Sequence, residues 1–300
     1  MLALTILGNN SALPAYGRNP TAQVLQTHDE NYLIDCGEGT QVQLTAYKIK
    51  TSKINKIFIS HLHGDHYFGL IGLLTSMGLK GRVNDLHIYA PELLEQIILL
   101  QLSAASAVLP YKMYFHPLKG EGEIANDNKI AVSNFKVRHR IDCNGFIFRE
   151  KKKPRSIVAE NVKAYEIPEA YYGELQKGND YVTKKGTVIS NESVTIAAPA
   201  ARSYAYCADT IYDETIAEKI KDVDVIYHET TYLKNLEERA AARFHCTTVQ
   251  AGNIAKIAGA KKLLIGHFSS KYEILDDFLT ETKAVFENTE LALEGVCFKI

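Results

Sequence analysis

Short apolar runs closed by Gly, Asn, Asp or His recur along this chain, and they set its expected elements. Runs at 2–7, 21–26 and 32–34 read as strands, the last two joined as a hairpin across the polar stretch 28–31. Further strands are predicted at 54–59, 86–89, 130–133, 135–139, 146–149, 193–198, 203–207, 222–227 and 262–265. Between them the apolar spacing lengthens to a helical period at 41–50, 68–79 and 247–259. The stretch 91–102 opens on Pro91-Glu92, a proline and an acid in a first turn, and predicts another helix. Strands and helices alternate and no segment repeats, so the expected class is α/β (α+β) with substantial sheet.

One segment breaks this rhythm. From about 149 to 190, Lys151-Lys152-Lys153-Pro154-Arg155 leads to Ile167-Pro168, Gly173, Gly178 and Gly186, with little periodic apolar content. It reads as an arm inserted into a single domain spanning 1–300.

Composition narrows the class. Three hundred residues with 46% hydrophobic content support a sizeable core. A formal charge of −1 excludes a basic field over the whole chain, although a local basic patch on a neutral protein still holds phosphates. The five cysteines are scattered with no CxxC spacing, as in reduced thiols of a cytosolic protein. The start Met1-Leu2-Ala3-Leu4 lacks a basic region, and Gly8-Asn9-Asn10 follows too soon for a secretory leader. No apolar stretch approaches the roughly 20 residues that cross a bilayer. A cytoplasmic enzyme without a membrane partner is expected.

The densest chemistry is Ser60-His61-Leu62-His63-Gly64-Asp65-His66-Tyr67-Phe68-Gly69-Leu70, directly after the apolar Ile57-Phe58-Ile59. A strand leading into a glycine-containing turn throws side chains in several directions, as grouping N and O donors around metal ions requires. Imidazoles and a carboxylate crowded this closely destabilise a core unless they coordinate something or face water. His139, Asp209, His228 and His267 each end or follow a later apolar run, where sheet enzymes collect their chemistry. Imidazole with carboxylate and no thiolate suits zinc and tolerates manganese. The lone His28, His87 and His116 are read as ordinary core or surface residues.

These residues resemble the metallo-β-lactamase superfamily and, within it, the ribonuclease Z family of tRNA 3′-processing endoribonucleases. The similarity runs over nearly the whole chain. Asp35-Cys36-Gly37-Glu38-Gly39-Thr40-Gln41 matches a family signature, and His228-Glu229-Thr230-Thr231-Tyr232, His245-Cys246-Thr247-Thr248 and Gly266-His267-Phe268-Ser269 are similar to three more. Asn9 and Asn10 depart from the family's opening Gly-Thr loop, and Ile167-Pro168 is followed by Glu169-Ala170-Tyr171-Tyr172 where the arm usually carries Gly-Pro.

The resemblance implies a four-layer αβ/βα sandwich with two sheets face to face, helices outside and an inserted arm. It implies two zinc ions per subunit, one held by His61, His63, His139 and Asp209, the other by Asp65, His66, Asp209 and His267. Asp65 stands where the family places the acceptor of the attacking water's proton. His245, oriented by Glu229, is the candidate donor to the leaving oxygen, and His228 is expected to lie behind the ligands. The arm, with its basic stretch from Lys136 through Arg138, Arg140 and Arg149 to Arg155, is expected to grip precursor tRNA, in a homodimer whose arm serves the partner's site. Two other readings compete: a phosphodiesterase of the same fold acting on a small ester or cyclic nucleotide, and a non-catalytic RNA-binding relative.

Overall fold

The computed structural model describes residues 2–300. Two compact units emerge: the larger runs to Asp127 and adds Ala131–Phe148 and Arg202–Ile300, and the smaller comprises Asn128–Ile130 and Arg149–Ala201.

Two seven-stranded sheets dominate. Across the first, the order is Cys297–Lys299, Ala3–Gly8, Ala22–Gln26, Asn31–Ile34, Ile54–Phe58, Leu86–Ala90 and Met113–Pro117. Across the second it is Thr289–Leu291, Lys262–Gly266, Val225–Glu229, Ser203–Cys207, Cys143–Glu150, Ile130–Val137 and Gly122–Asn126. Both are mixed. Strands 31–34, 54–58, 86–90 and 113–117 run parallel in the first, and 203–207, 225–229, 262–266 and 289–291 in the second.

Aromatic side chains fill the space where the two sheets face each other. The Phe58 ring meets Phe148 edge-on at 5.3 Å and Phe146 at 5.6 Å. Such pairs add to the burial of their area. Two of the tyrosines buried here place their hydroxyls on polar partners, Tyr204 donating to Gln23 and Tyr206 to Asp35. On the outer side of the first sheet, Leu70, Leu73, Leu74 and Met77 of helix Leu70–Leu79 share one apolar cluster with Leu33, Ile57 and Ile88. Helix Thr248–Ile257 packs outside the second sheet on strands 225–229 and 262–266, with helix Asp276–Lys283 against it. The result is the expected four-layer αβ/βα sandwich.

Several elements depart from the sequence expectation, each for a local reason. The strands expected at 130–133 and 135–139 are one strand, Ile130–Val137. Asn134 does not interrupt it, because its amide donates to Gly120 O at 2.6 Å and Asn144 Oδ1 at 3.0 Å. The strand expected at 193–198 is mostly replaced by helix Asn191–Val194 and a two-residue strand, Thr195–Ile196. There the Asn191 amide donates to Leu175 O and Asn179 O while its Oδ1 accepts from Thr195. The helix expected at 41–50 is Thr40–Ala46, closed by Lys48 at φ 57°. The strands at 113–117, 122–126, 289–291 and 297–299 lie at or near sheet edges, half exposed, and lack the continuous apolar run that identifies the others.

The smaller unit has its own core of Val162, Ile167, Leu175, Ile189 and Val194, flanked by Tyr171, Tyr172 and Tyr181. Two short antiparallel ribbons, 156–157 with 195–196 and 181–182 with 188–189, frame it.

In the larger unit, loop 35–37 is locked to the segment 65–69, the end of a short helix and the turn after it. Cys36 N donates to His66 O at 2.7 Å, and Gly69 N donates to Cys36 O at 2.9 Å. The approach leaves no room for a side chain: a Cβ on Gly69 would lie 2.1 Å from Gly37 O. Gly69→Ala is therefore expected to lower stability by about 1–3 kcal/mol, the usual cost of overpacking, read as a drop in thermal midpoint. An unchanged midpoint would show that the two segments move apart freely.

Candidate metal centre

The run that follows strand 54–58 is held open by Asp35, one residue beyond strand 31–34. Asp35 adopts φ 54°, a left-handed conformation that Asp tolerates better than most residues. Its fully buried carboxylate accepts four hydrogen bonds: Ser60 N at 2.7 Å, Ser60 Oγ at 2.8 Å, His66 Nδ1 at 2.7 Å and Tyr206 OH at 2.6 Å. Ser60 leads into His61, and the short helix Gly64–Tyr67 then presents Asp65 and His66.

Two donor clusters result. In the first, His61 Nε2 lies 3.0 Å from His63 Nδ1, which lies 3.1 Å from His139 Nε2. Asp209 Oδ2 stands 3.8 Å from His61 Nε2 and 4.0 Å from His139 Nε2. In the second, Asp209 turns its other oxygen, Oδ1, to His66 Nε2 at 3.4 Å and to His267 Nε2 at 3.2 Å. Asp65 Oδ2 completes that group, 3.6 Å from His66 Nε2 and 3.4 Å from His267 Nε2. Every residue singled out in the sequence as a ligand falls in one of these groups, and Asp209 belongs to both.

The groups that face away from the clusters matter as much. His61 Nδ1 contacts Ser60 Oγ at 3.0 Å, His66 Nδ1 contacts Asp35, His139 Nδ1 donates to Phe244 O at 3.0 Å, and His267 Nδ1 contacts Thr231 Oγ1 at 3.0 Å. Each ring is thus oriented from behind, leaving its Nε2 to converge on the site.

These distances fit a cation better than they fit hydrogen bonds among the groups themselves. Burial, followed by repulsion from neighbouring imidazoles, lowers the pKa of His61, takes His63 down to about 4, and burial likewise lowers His139. All three are neutral at pH 7, with lone pairs crowded together. Ligand bonds of about 2.0–2.1 Å around a tetrahedral ion give donor separations of about 3.3 Å, close to those observed. Among the described residues, His66 Nε2 and Asp209 Oδ1 are buried without hydrogen-bond partners, as expected of atoms meant for an ion. Burial opposes a cationic His66, but Asp209, Asp65 and Asp35 outweigh it and raise its pKa well above the usual imidazole range. The carboxylates around His66 thus make the second cluster attractive to positive charge.

Beside the clusters, Glu229 ends strand 225–229 fully buried. It accepts from Thr210 N, Thr231 N, Thr231 Oγ1, Cys246 N and His245 Nδ1, the last at 3.0 Å. Burial disfavours a charged His245, yet the Glu229 carboxylate beside it outweighs that and raises its pKa. His245, Asp65, Asp209, His63 and Arg140 line one cleft of about 310 Å³.

Other histidines lie elsewhere. His28 is exposed beside Asp29, and His87 pairs with His116 across adjacent strands at 2.9 Å. His228 is buried, with Nδ1 donating to Glu229 O at 2.7 Å, and it belongs to neither cluster. The roles of Asp35, Ser60, Tyr206 and Thr231 in orienting the donors were not evident in the sequence. The placement of Asp35 in the signature 35–41 was the signal available.

Over residues 2–153 the chain matches the family model described as Anti-Pycsar protein Apyc1. That stretch holds the histidine run and His139 but stops before Asp209 and His267. A Ribonuclease Z of Bacteroides thetaiotaomicron is 44% identical over 299 residues, covering 99% of this chain and 95% of that one. One from Bacteroides fragilis is 42% identical, covering 99% and 98% respectively. The crystal structure of the short form of human tRNase Z superposes with a TM-score of 0.73 at 25% identity, over 99% of both chains.

Removing the Asp35 carboxylate leaves His66 without its partner and Ser60 and Tyr206 with unmet donors. Asp35→Ala is expected to weaken metal-ion binding about 10–100-fold, the usual cost of losing a group that orients a ligand. Competition titration against a metal chelator measures it, and unchanged affinity would deny Asp35 that role.

Proposed function

The chain belongs to the ribonuclease Z family, and on that premise we propose how its residues remove the 3′ trailer from precursor tRNA. The products are a tRNA 3′-hydroxyl and a trailer 5′-phosphate. The observation that carries the reading is the pair of donor clusters sharing Asp209 beside the Glu229–His245 pair. The donor chemistry fits two zinc ions, with manganese as a substitute. His61, His63, His139 and Asp209 would hold one, and Asp65, His66, Asp209 and His267 the other. When bound, such ions supply Lewis-acid charge at the scissile phosphate and lower the pKa of the attacking water.

The chain's own groups handle the protons. Asp65 Oδ2 accepts from Ala12 N at 2.8 Å, which fixes the carboxylate at the cleft. Burial opposes its charge, but His66 and His267 keep its pKa below the ordinary carboxylate range, so it is ionised and able to accept the water's proton. His245 stands at the same cleft with the Glu229 carboxylate behind it. Its raised pKa keeps the imidazolium populated toward neutral pH, ready to protonate the departing 3′ oxygen. Arg140, exposed on the same cleft, adds a fixed cation for phosphate.

Substrate choice rests on the arm. Lys152, Lys153, Arg155 and Lys177 line a cavity of about 740 Å³ within the smaller unit. Basic side chains around such a hollow suit backbone phosphates, and their contribution falls with salt. The resemblance of the arm supports a homodimer in which one subunit's arm presents cytoplasmic precursor tRNA to its partner's site.

The test of the reading is a 3′-extended precursor tRNA incubated with zinc-reconstituted protein. A cut just after the discriminator base supports it. Cleavage of a chromogenic diester with the precursor left intact would favour a small-phosphodiester hydrolase.

Two variants probe the roles. Because the pKa of His245 is raised, its acid form persists into neutral solution and is lost as pH rises, so kcat should fall on the alkaline side. His245→Ala should lower kcat about 10²–10⁴-fold with metal content unchanged, and should abolish that alkaline limb. Wild-type kcat in that variant would remove the donor role. Neutralising Lys151, Lys152 and Lys153 together should raise KM for precursor tRNA severalfold and leave hydrolysis of a small diester unaltered. Equal losses on both substrates would count against the arm.

A further inference from the structure

The cleft carries an exposed aromatic ring that the chemistry above does not use. Phe68 is 63% exposed and lines the same cleft as Asp65, Asp209, His245 and Arg140. Single exposed apolar side chains are ordinary on protein surfaces. This one is held in place. A Cβ on Gly64 would lie 2.2 Å from Phe68 Cε2, so the ring rests on the Gly64 backbone in space that any other residue at 64 would fill. Tyr67 meets it edge-on, with ring centroids 5.0 Å apart. Phe68 N donates to Gly64 O at 2.9 Å, which ties the ring to the short helix that presents Asp65 and His66.

We propose that Phe68 is a stacking platform for the nucleobase that flanks the scissile phosphate, with Arg140 holding a neighbouring phosphate across the cleft. The proposal rests on the endoribonuclease reading and names how that site grips its substrate. The 3′ end of a precursor tRNA around the cut is single-stranded, so its bases present open π-faces. An aromatic platform engages any base by its face without reading its edge. That suits an enzyme that must cut beside whatever discriminator or trailer base a given precursor carries. A hydrogen-bonding side chain at this position would instead favour particular bases. A guanidinium nearby supplies the charge complement for the backbone.

The experiment combines three variants with three RNAs: intact precursor tRNA and two precursors abasic at the nucleotide on either side of the cut. Phe68→Ala is expected to lose roughly tenfold to a hundredfold in kcat/KM on the intact precursor. Phe68→Leu, apolar but without a π-face, should lose most of the same factor, and Phe68→Trp should keep wild-type efficiency. At one of the two flanking positions, removing the base should cost the wild type what Phe68→Ala costs, and Phe68→Ala should lose nothing further there. Thermal midpoints and zinc stoichiometry of the variants exclude a folding or loading defect. Additive losses at both positions, or a Phe68→Leu enzyme as efficient as wild type, would overturn the stacking role. Failure of the wild-type protein to cut the intact precursor would overturn the endoribonuclease reading, and the platform with it.

Discussion

Asp35 is the point through which the fold and the candidate centre constrain each other. A buried carboxylate without partners costs about several kcal/mol, and its stability depends on how completely its oxygens are satisfied. Here four donors satisfy them, and they come from separate parts of the chain: two from Ser60, one from His66 and one from Tyr206 on the opposite sheet. Sheet-to-sheet packing, the path of the loop after strand 54–58 and the orientation of His66 are therefore a single requirement. If the sheets moved apart, Tyr206 would leave Asp35; if the loop changed path, Ser60 would. Either change would release His66.

Glu229 repeats the arrangement on the other side of the centre. It too is fully buried and surrounded by donors, and through Thr231 Oγ1 it connects to His267 Nδ1. Two buried acids thus flank the donor clusters, while Asp209 stands between them with one oxygen toward each group. The division of labour follows from what each acid touches. Asp35 holds the donor His66 directly and reaches His61 through Ser60, so its role is to position donors. Glu229 also touches His245 and so sets the charge of a group that faces the cleft. The same chemistry, a desolvated carboxylate saturated with hydrogen bonds, yields a geometric role in one place and an electrostatic one in the other.

The legibility of the chain follows the same physics. Central strands are apolar on both faces because helices cover one side and the facing sheet the other, so 57–59, 204–207, 225–227 and 263–265 stand out as continuous runs. Edge strands carry no such signal, and helix 191–194 arises from hydrogen bonds of Asn191 that no periodicity reveals. The donors were legible because imidazole and carboxylate at the ends of apolar runs are costly to bury unless they bind something or meet water. Ser60, Thr231 and Tyr206 were not, because a hydroxyl that orients a ring looks like any other hydroxyl in sequence. Their function depends on a distance of about 3 Å across the fold, which only the tertiary structure supplies.

Backbone strain marks what this arrangement costs and why it persists. Ala12, Asp35 and His267 all adopt left-handed conformations, at φ 65°, 54° and 61°. Each such non-glycine residue costs about 1–3 kcal/mol and survives only where its surroundings dictate it. Lys48 and Ser106 share the conformation, but they close helices, where one left-handed residue satisfies otherwise unpaired carbonyls. The three at the centre have a different reason. At Ala12 the working atom is the backbone N–H that reaches Asp65, so glycine would meet the geometric need without the strain. At Asp35 and His267 the working part is the side chain, and no substitution removes the strain while keeping that side chain. The strain at those two positions is therefore inseparable from the placement of two donors, His66 held by Asp35 and His267 itself. It is tolerated because the buried hydrogen bonds of Asp35, and of Thr231 behind His267, leave the backbone no relaxed alternative that keeps both sheets packed.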